Sequence, residues 1–147
     1  MNKLYLLFLI IICVGCQETT TYDKINHFLN TEYNKDLEAF SHLVIINEMG
    51  ECMNCNNKFS KSMTEYIDNE SILFLICSHG VNIDISAYLD EKVDNIVYDF
   101  RNKFATLNIV NHCSIISLDE EKSCAVTEID VNNLNESMIK FKNSLED

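Results

Sequence analysis

The strongest constraint on the fold comes from two short apolar segments, residues 43–47 and 72–77, which are rich in β-branched side chains. Neither segment alternates between apolar and polar residues, so each predicts a strand that is buried on both faces, as in a parallel sheet. The residues between them place Phe59 and Met63 on one face of a helix that ends near Asn69. The pattern therefore predicts a β–α–β unit.

Further helices and strands are predicted on both sides of this unit. Apolar residues at helical spacing predict a helix over residues 22–40, another from about Asp84 to about Val93, and a helical stretch at residues 100–107. A third short strand is predicted at residues 96–98. The chain thus continues as an alternation of strands and helices.

The pattern changes in the C-terminal part of the chain. Residues 115–118 and 124–129, joined by a polar turn, predict a β-hairpin. A last helix is predicted by a stripe of apolar residues spaced by four, three and four: Leu134, Met138, Phe141 and Leu145. Strands that alternate with helices, followed by an antiparallel hairpin, predict an α/β fold with a mixed sheet. Without an internal repeat or a second domain, residues 22–147 are predicted to form one domain.

Composition limits the class of partner. The chain has 147 residues with 23 acidic and 11 basic side chains, which gives a formal net charge of −12. Because phosphate backbones repel such a chain, nucleic acid is not expected as a partner. A hydrophobic content of 47% excludes a largely disordered chain, and the absence of proline excludes a proline-rich linker.

The N-terminal segment has the pattern of a secretory signal. Lys3 precedes an uninterrupted apolar run of eleven residues, 4–14, which is too short to span a bilayer as a helix. The run leads into residues 13–16, Cys-Val-Gly-Cys, which resemble the lipobox of bacterial lipoproteins. That resemblance implies a signal peptide over residues 1–15, lipidation of Cys16, a tether up to residue 21, and a membrane-anchored, extracytoplasmic location. A cleaved signal without a lipid, or an N-terminal anchor, is the alternative.

Two of the seven cysteines form a motif with chemistry of its own. Cys52 and Cys55 lie where a buried strand gives way to a helix. The positive end of a helix dipole stabilises a thiolate on the first cysteine, and the second cysteine can resolve a mixed disulfide. We therefore expect Cys52 to attack and Cys55 to resolve, without any cofactor. Cys77, Cys113 and Cys124 leave an odd number, so at least one cysteine is unpaired or pairs between molecules.

At these residues the chain resembles the thioredoxin fold family, and in particular its lipid- or membrane-anchored bacterial branch of thiol–disulfide oxidoreductases. The resemblance rests on residues 43–47 with the cysteine pair at 52–55, on residues 96–99, and on residues 113–119. It implies a three-layer α/β/α architecture with a mixed central sheet, a C-terminal β-hairpin and a last helix. It also implies thiol–disulfide exchange with a partner protein.

The site departs from the family pattern at two places. The aromatic residues that usually precede the first cysteine are replaced by a segment with Glu48 and Glu51, whose carboxylates disfavour a thiolate on Cys52. The family's cis-proline position corresponds to Cys113, which follows His112. In the family this proline lies against the active-site disulfide, positions the substrate and keeps metals out.

These departures leave other interpretations open. Cys52 and Cys55 with Cys113 or His112 form an alternative donor set for Cu(I) or Zn(II), although strand alternation sends adjacent side chains to opposite faces. A second alternative is a non-enzymatic binding module with a permanent disulfide.

Accessory roles are open for three further residues. Glu48 or Glu51 could accept the proton of the resolving thiol, and His79 could carry a proton at the rim. For each of them a solvated loop residue is the simpler interpretation. Cys77 is interpreted as a small buried hydrophobic residue.

Overall fold

The computed structural model describes residues 19–49, 52–89 and 93–146. The described residues form three α-helices and five β-strands, in the order α1 (Thr21–Tyr33), β1 (His42–Ile46), α2 (Met53–Met63), β2 (Ile72–Ile76), β3 (Ile96–Tyr98), β4 (Ser114–Leu118), β5 (Cys124–Glu128) and α3 (Leu134–Ser144). The predicted strands are all present, within a residue or two of their expected ends.

The strands form one mixed sheet in the order β3-β2-β1-β4-β5. Strands β1, β2 and β3 are parallel, while β4 runs antiparallel to β1 and to β5. The C-terminal ends of the three parallel strands and the N-terminal end of β4 therefore lie at one edge. This edge carries the cysteine pair.

The sheet is covered on both faces, because alternate residues of a strand point to opposite sides. On one face, Ile25 and Leu29 of α1 pack against the sheet. On the other face, α2 and α3 contribute Phe59, Met63 and Phe141. The result is a three-layer α/β/α arrangement consistent with a thioredoxin-like α/β fold.

Helix α1 is shorter than the sequence predicts. It begins with a capping box in which the Thr20 hydroxyl accepts a hydrogen bond from the Asp23 N–H, while the Asp23 carboxylate accepts one from the Thr20 N–H. It ends at Tyr33 because Asn34 adopts a left-handed conformation, with φ of 53°. The predicted helix over residues 22–40 is therefore wrong beyond Tyr33, and only a short 3-10 turn, Leu37–Ala39, follows.

Two other predicted helices are reduced to 3-10 turns. Described residues 84–89 contain only the turn Ser86–Tyr88, in which the buried Tyr88 packs into the core. The predicted stretch at residues 100–107 is the 3-10 helix Lys103–Leu107, bounded by Asn102 and Asn108 in left-handed conformations. In both segments, apolar residues recur at helical spacing although the backbone does not form an α-helix.

The C-terminal hairpin and helix are confirmed. Strands β4 and β5 pair with Leu118 opposite Cys124 and Ser117 opposite Ala125. This register places Leu118, and not a second cysteine, opposite Cys124.

The predicted signal segment, residues 1–15, lies outside the described residues, as do Cys16 and Glu51. Within the described ranges, no helix combines the length and the apolar character needed to cross a bilayer.

Candidate functional site

The cysteine pair forms a disulfide at the start of α2, the helix that follows β1 in the chain. Cys52 is bonded to Cys55, and their Cα atoms lie 5.3 Å apart. Cys52 is the N-cap residue of α2, and its Sγ accepts a hydrogen bond from the Cys55 N–H at 3.3 Å. The Cys52 carbonyl accepts the N–H of Asn56 at 3.0 Å. The first sulfur therefore lies at the positive end of the helix dipole, as the sequence predicts.

The two sulfur-bearing residues differ in exposure. Cys52 is partly exposed, whereas Cys55 is only 5% exposed. Met53, between them in sequence, is 56% exposed. An incoming thiol or disulfide can therefore reach Cys52 more easily than Cys55, which is the asymmetry that an attacking and a resolving cysteine require.

Cys113 lies at the same edge and is fully buried. Its Sγ accepts a hydrogen bond from the Asn47 N–H at 3.4 Å and donates one to the Asn47 carbonyl at 3.3 Å. Burial raises the pKa of the Cys113 thiol to about 12, so it stays protonated at neutral pH. Cys113 is thus a neutral thiol that pairs with the residue directly after β1.

His112 is half-buried, and its backbone N–H donates to the Glu128 carboxylate at 3.2 Å. The described part of the chain contains no cis peptide bond, so the bond between His112 and Cys113 is trans.

Glu48 is held by the end of the neighbouring strand. The Ser78 hydroxyl donates a hydrogen bond to the Glu48 carboxylate at 3.0 Å and accepts one from the Gly80 N–H at 3.0 Å. Ser78 is fully buried and Glu48 is partly exposed. The Glu48 carboxylate is therefore held between the ends of β1 and β2.

An aromatic stack follows the ends of β2 and β3. The exposed ring of His79 stacks on Phe100 with ring centroids 5.7 Å apart, and Phe100 stacks on Tyr98 at 5.4 Å. Asn102, close behind in sequence, contacts the sulfur of Met49 through its Nδ2 at 3.2 Å. His79 is thus held at the surface by an aromatic contact.

The other two cysteines that the structure describes, Cys77 and Cys124, are free, as Cys113 is. Cys77 is buried, and its burial together with the Asp99 carboxylate raises the pKa of its thiol. Cys124 is half-buried on β5, and burial raises its pKa as well. Raised pKa values keep both thiols protonated and poorly reactive.

Residues 19–49, 52–89 and 93–146 contain no group of three or more His, Cys, Asp or Glu side chains that could hold a metal ion. In this structure the Cys52 and Cys55 sulfurs are bonded to each other, and Cys113 is paired with Asn47. The alternative donor set with Cys113 or His112 concerns the reduced protein and stays a hypothesis.

Three site residues were not expected from the sequence: Asn47, Asn56 and Ser78. All three are buried polar residues: Asn47 follows β1, Ser78 lies just beyond β2, and Asn56 follows Cys55 in α2. The signal available in the sequence was a polar residue directly after each apolar strand or after the second cysteine, which alone does not identify a role.

Models of protein families, curated proteins and solved structures were compared with the chain, and none of them matches it. The mixed sheet and the Cys52–Cys55 disulfide are compatible with a thioredoxin-like fold. The same disulfide is compatible with a redox role and with a structural one.

Proposed function

We propose that this protein exchanges thiols and disulfides with a partner protein through Cys52 and Cys55. The observation that carries the proposal is the asymmetry of the pair: a partly exposed cysteine that caps a helix, joined to a cysteine that is buried. A thiolate on Cys52 would lie at the positive end of the helix dipole, and thiolate character together with access makes a cysteine the attacking one.

The exchange proceeds in two steps. The Cys52 thiolate attacks one sulfur of a partner disulfide, which forms a mixed disulfide and releases the other partner sulfur as a thiolate. Cys55 then loses its proton and attacks the Cys52 sulfur, which releases the second partner thiolate. The pair is oxidised by two electrons and the partner disulfide is reduced, and the reverse sequence oxidises a partner dithiol.

Glu48 is the candidate acceptor for the proton that the Cys55 thiol loses. Its carboxylate is fixed by Ser78 at the edge where β1 ends, next to the segment that carries the pair. A carboxylate in this place can accept a proton when the buried thiol becomes a nucleophile. Glu51 is a second candidate by its position in the sequence.

We further propose that the reaction takes place at a membrane surface. A lipid on Cys16 and removal of residues 1–15 would anchor the domain on the extracytoplasmic side of a membrane, where disulfides persist. The partner is then a protein thiol or disulfide at the same membrane surface.

The rival function is a binding module in which the disulfide only locks the start of α2. The burial of Cys55 is the observation that favours it, because a buried sulfur is protected from exchange.

The two functions predict different behaviour toward a disulfide substrate, because only the first predicts thiol–disulfide exchange. The full chain, reduced and purified in mild detergent, is mixed with oxidised glutathione as a model disulfide, and release of glutathione is followed. We expect Cys52→Ala to abolish exchange and Cys55→Ala to stop at a stable mixed disulfide with Cys52, seen as added mass. Cys77→Ala is the matched control, because Cys77 is buried and free, and it should keep full activity. Equal activity in Cys52→Ala would refute the mechanism.

A further inference from the structure

Strand β5 forms one edge of the sheet, and its hydrogen bonds to β4 show which backbone groups point outward. Before the strand, the Asp119 N–H donates to the Ser123 carbonyl at 3.3 Å, and after it the Ile129 N–H donates to the Cys113 carbonyl at 2.8 Å. In an antiparallel pair, every second residue bonds to the neighbouring strand. Residues 123, 125, 127 and 129 therefore face β4, and residues 124, 126 and 128 face away from it.

This outer row of backbone groups is largely unpaired. Within the part of the chain that the structure describes, no hydrogen bond reaches the N–H or C=O of Cys124 or Val126, while the Glu128 carbonyl accepts one from the Asn133 side chain at 2.7 Å. Sheet edges are usually protected by charged side chains, proline or a bulge. Residues 123–127, Ser-Cys-Ala-Val-Thr, contain no charge and no proline, and their pairing with β4 has no bulge.

The edge is accessible, and acidic residues flank it. Ala125, Val126 and Thr127 are all exposed. Residues 119–130 have five acidic side chains and one basic one, and the acids lie on both sides of the uncharged segment 123–127. The basic residue, Lys122, forms an ion pair with Glu38. The edge is therefore neutral in its middle and negative at both ends.

We infer that β5 is a docking edge for an extended segment of a partner protein, uncharged in its middle and with Lys or Arg at both ends. Its backbone pairs with the outward N–H and C=O groups of Cys124 and Val126, and its basic ends meet the acids at 119–121 and 128–130. A second copy of this chain fits less well, because it brings the same acids together and each chain has a net charge of −12. The inference does not depend on thiol exchange, because β4 separates β5 from β1.

A synthetic peptide tests this edge. The probe is a fluorescently labelled peptide of alternating threonine and valine with lysine at both ends, and the same peptide with glutamate at both ends is its control. Fluorescence anisotropy measures its binding to the full chain in mild detergent, and ¹⁵N–¹H spectra locate the binding site. We expect the lysine peptide to bind about tenfold more tightly, with an affinity that falls as salt is added, because salt screens exposed charges. The N–H signals of Cys124 and Val126 should shift on binding.

Variants of the edge separate backbone pairing from charge. Val126→Pro removes an outward N–H but no donor to β4, and edge strands tolerate proline in this orientation. Val126→Thr is the matched control, because it keeps the N–H and the β-branched side chain. We expect Val126→Pro to weaken binding at least about tenfold and Val126→Thr to leave it unchanged. Glu120→Gln combined with Glu121→Gln should weaken it about threefold, since exposed ion pairs each contribute little.

A modified peptide covers the case in which Val126→Pro does not fold. Methylation of the central backbone N–H groups of the lysine peptide keeps its charge but prevents pairing, so we expect no binding to the wild type. Equal binding of the methylated peptide, wild-type affinity in Val126→Pro, or no binding of the lysine peptide at millimolar concentration overturns the inference. Dimerisation of the chain that shifts the same N–H signals without peptide also overturns it, because a second copy is then the occupant. None of these results bears on exchange by Cys52.

Discussion

The backbone N–H of Cys55 donates a hydrogen bond to the Sγ of Cys52 at 3.3 Å, so a sulfur atom is the side-chain N-cap of α2. Helix N-caps usually use a side-chain oxygen of Ser, Thr, Asp or Asn for this purpose. Here the capping atom is one of the two atoms of the disulfide. The start of the helix and the redox state of the pair are therefore coupled through one hydrogen bond.

This cap predicts an order of stability among variants of Cys52. Cys52→Ser and Cys52→Ala both remove the disulfide, but serine keeps an atom that can accept the N–H of Cys55. We expect Cys52→Ser to be more stable than Cys52→Ala by about 1 kcal/mol, as for other N-caps. Urea unfolding measures the difference. Cys55→Ser and Cys55→Ala serve as controls, since Cys55 is not the cap, and an equal gain from serine there would refute the assignment.

Burial predicts which cysteines react after reduction. The pKa of Cys113 is raised to about 12, and the pKa of Cys77 is also raised by burial. We expect iodoacetamide at pH 8 to modify Cys52 first and to leave Cys77 and Cys113 unmodified until the protein is unfolded in urea, because the thiolate is the reacting form. Peptide mass mapping identifies the sites. Modification of Cys113 in the folded protein at the rate of Cys52 would contradict the structure.

The buried Asp99 holds the segment after β3. Its carboxylate accepts hydrogen bonds from the Lys103 N–H at 3.0 Å and from the buried Phe104 N–H at 2.7 Å. Asp99→Ala leaves both donors without this partner, so we expect a loss of at least about 2 kcal/mol in the free energy of unfolding. Urea unfolding tests this, with the exposed Asp94→Ala as the control. An equal, small effect of the two substitutions would contradict the assignment.

His42 predicts a dependence of stability on pH. Its ring is 4% exposed, lies between the hydroxyls of Ser41 and Ser144 at 2.9 and 3.0 Å, and packs on Phe141. Burial lowers the pKa of His42 below its usual 6.5. The unfolded chain therefore binds the proton more readily, so stability is lost as the pH falls below about 6.5, toward the lower folded pKa.

The measurement is urea unfolding between pH 7.5 and 5.5 for the wild type and His42→Gln. We expect the wild type to lose more free energy of unfolding over this interval than the variant, in which the buried imidazole is absent. Parallel pH profiles of the two proteins would show that His42 does not contribute.

The parts of the fold that the sequence predicts are those with a strong local pattern. The continuous apolar runs of β1 and β2 and the stripe of Leu134, Met138 and Phe141 correspond to real elements because burial follows their period directly. The α-helices predicted near Asp84 and at residues 100–107 are not formed. Their apolar residues Ile85, Tyr88 and Phe104 are buried, but they belong to irregular or 3-10 segments of the backbone. Apolar spacing alone does not distinguish these cases.

The site, too, is predictable from the sequence only in part. The cysteine pair and its place at a helix start follow from local sequence. The pairing of Cys113 with Asn47 depends on the register between β1 and β4, in which Ile45 faces Ser114, and this register joins segments far apart in the chain. The unpaired donor of Asn56 is a property of packing, which no single-residue pattern records.

The reduction potential of the Cys52–Cys55 pair tests the central claim most directly. Cys77, Cys113 and Cys124 are replaced by serine, and the full chain is equilibrated with glutathione buffers of known potential before the fraction of reduced pair is read from alkylated mass. Exchange with a partner predicts a potential above about −300 mV, within the range of catalytic pairs. A potential below about −300 mV, as structural disulfides have, would contradict it.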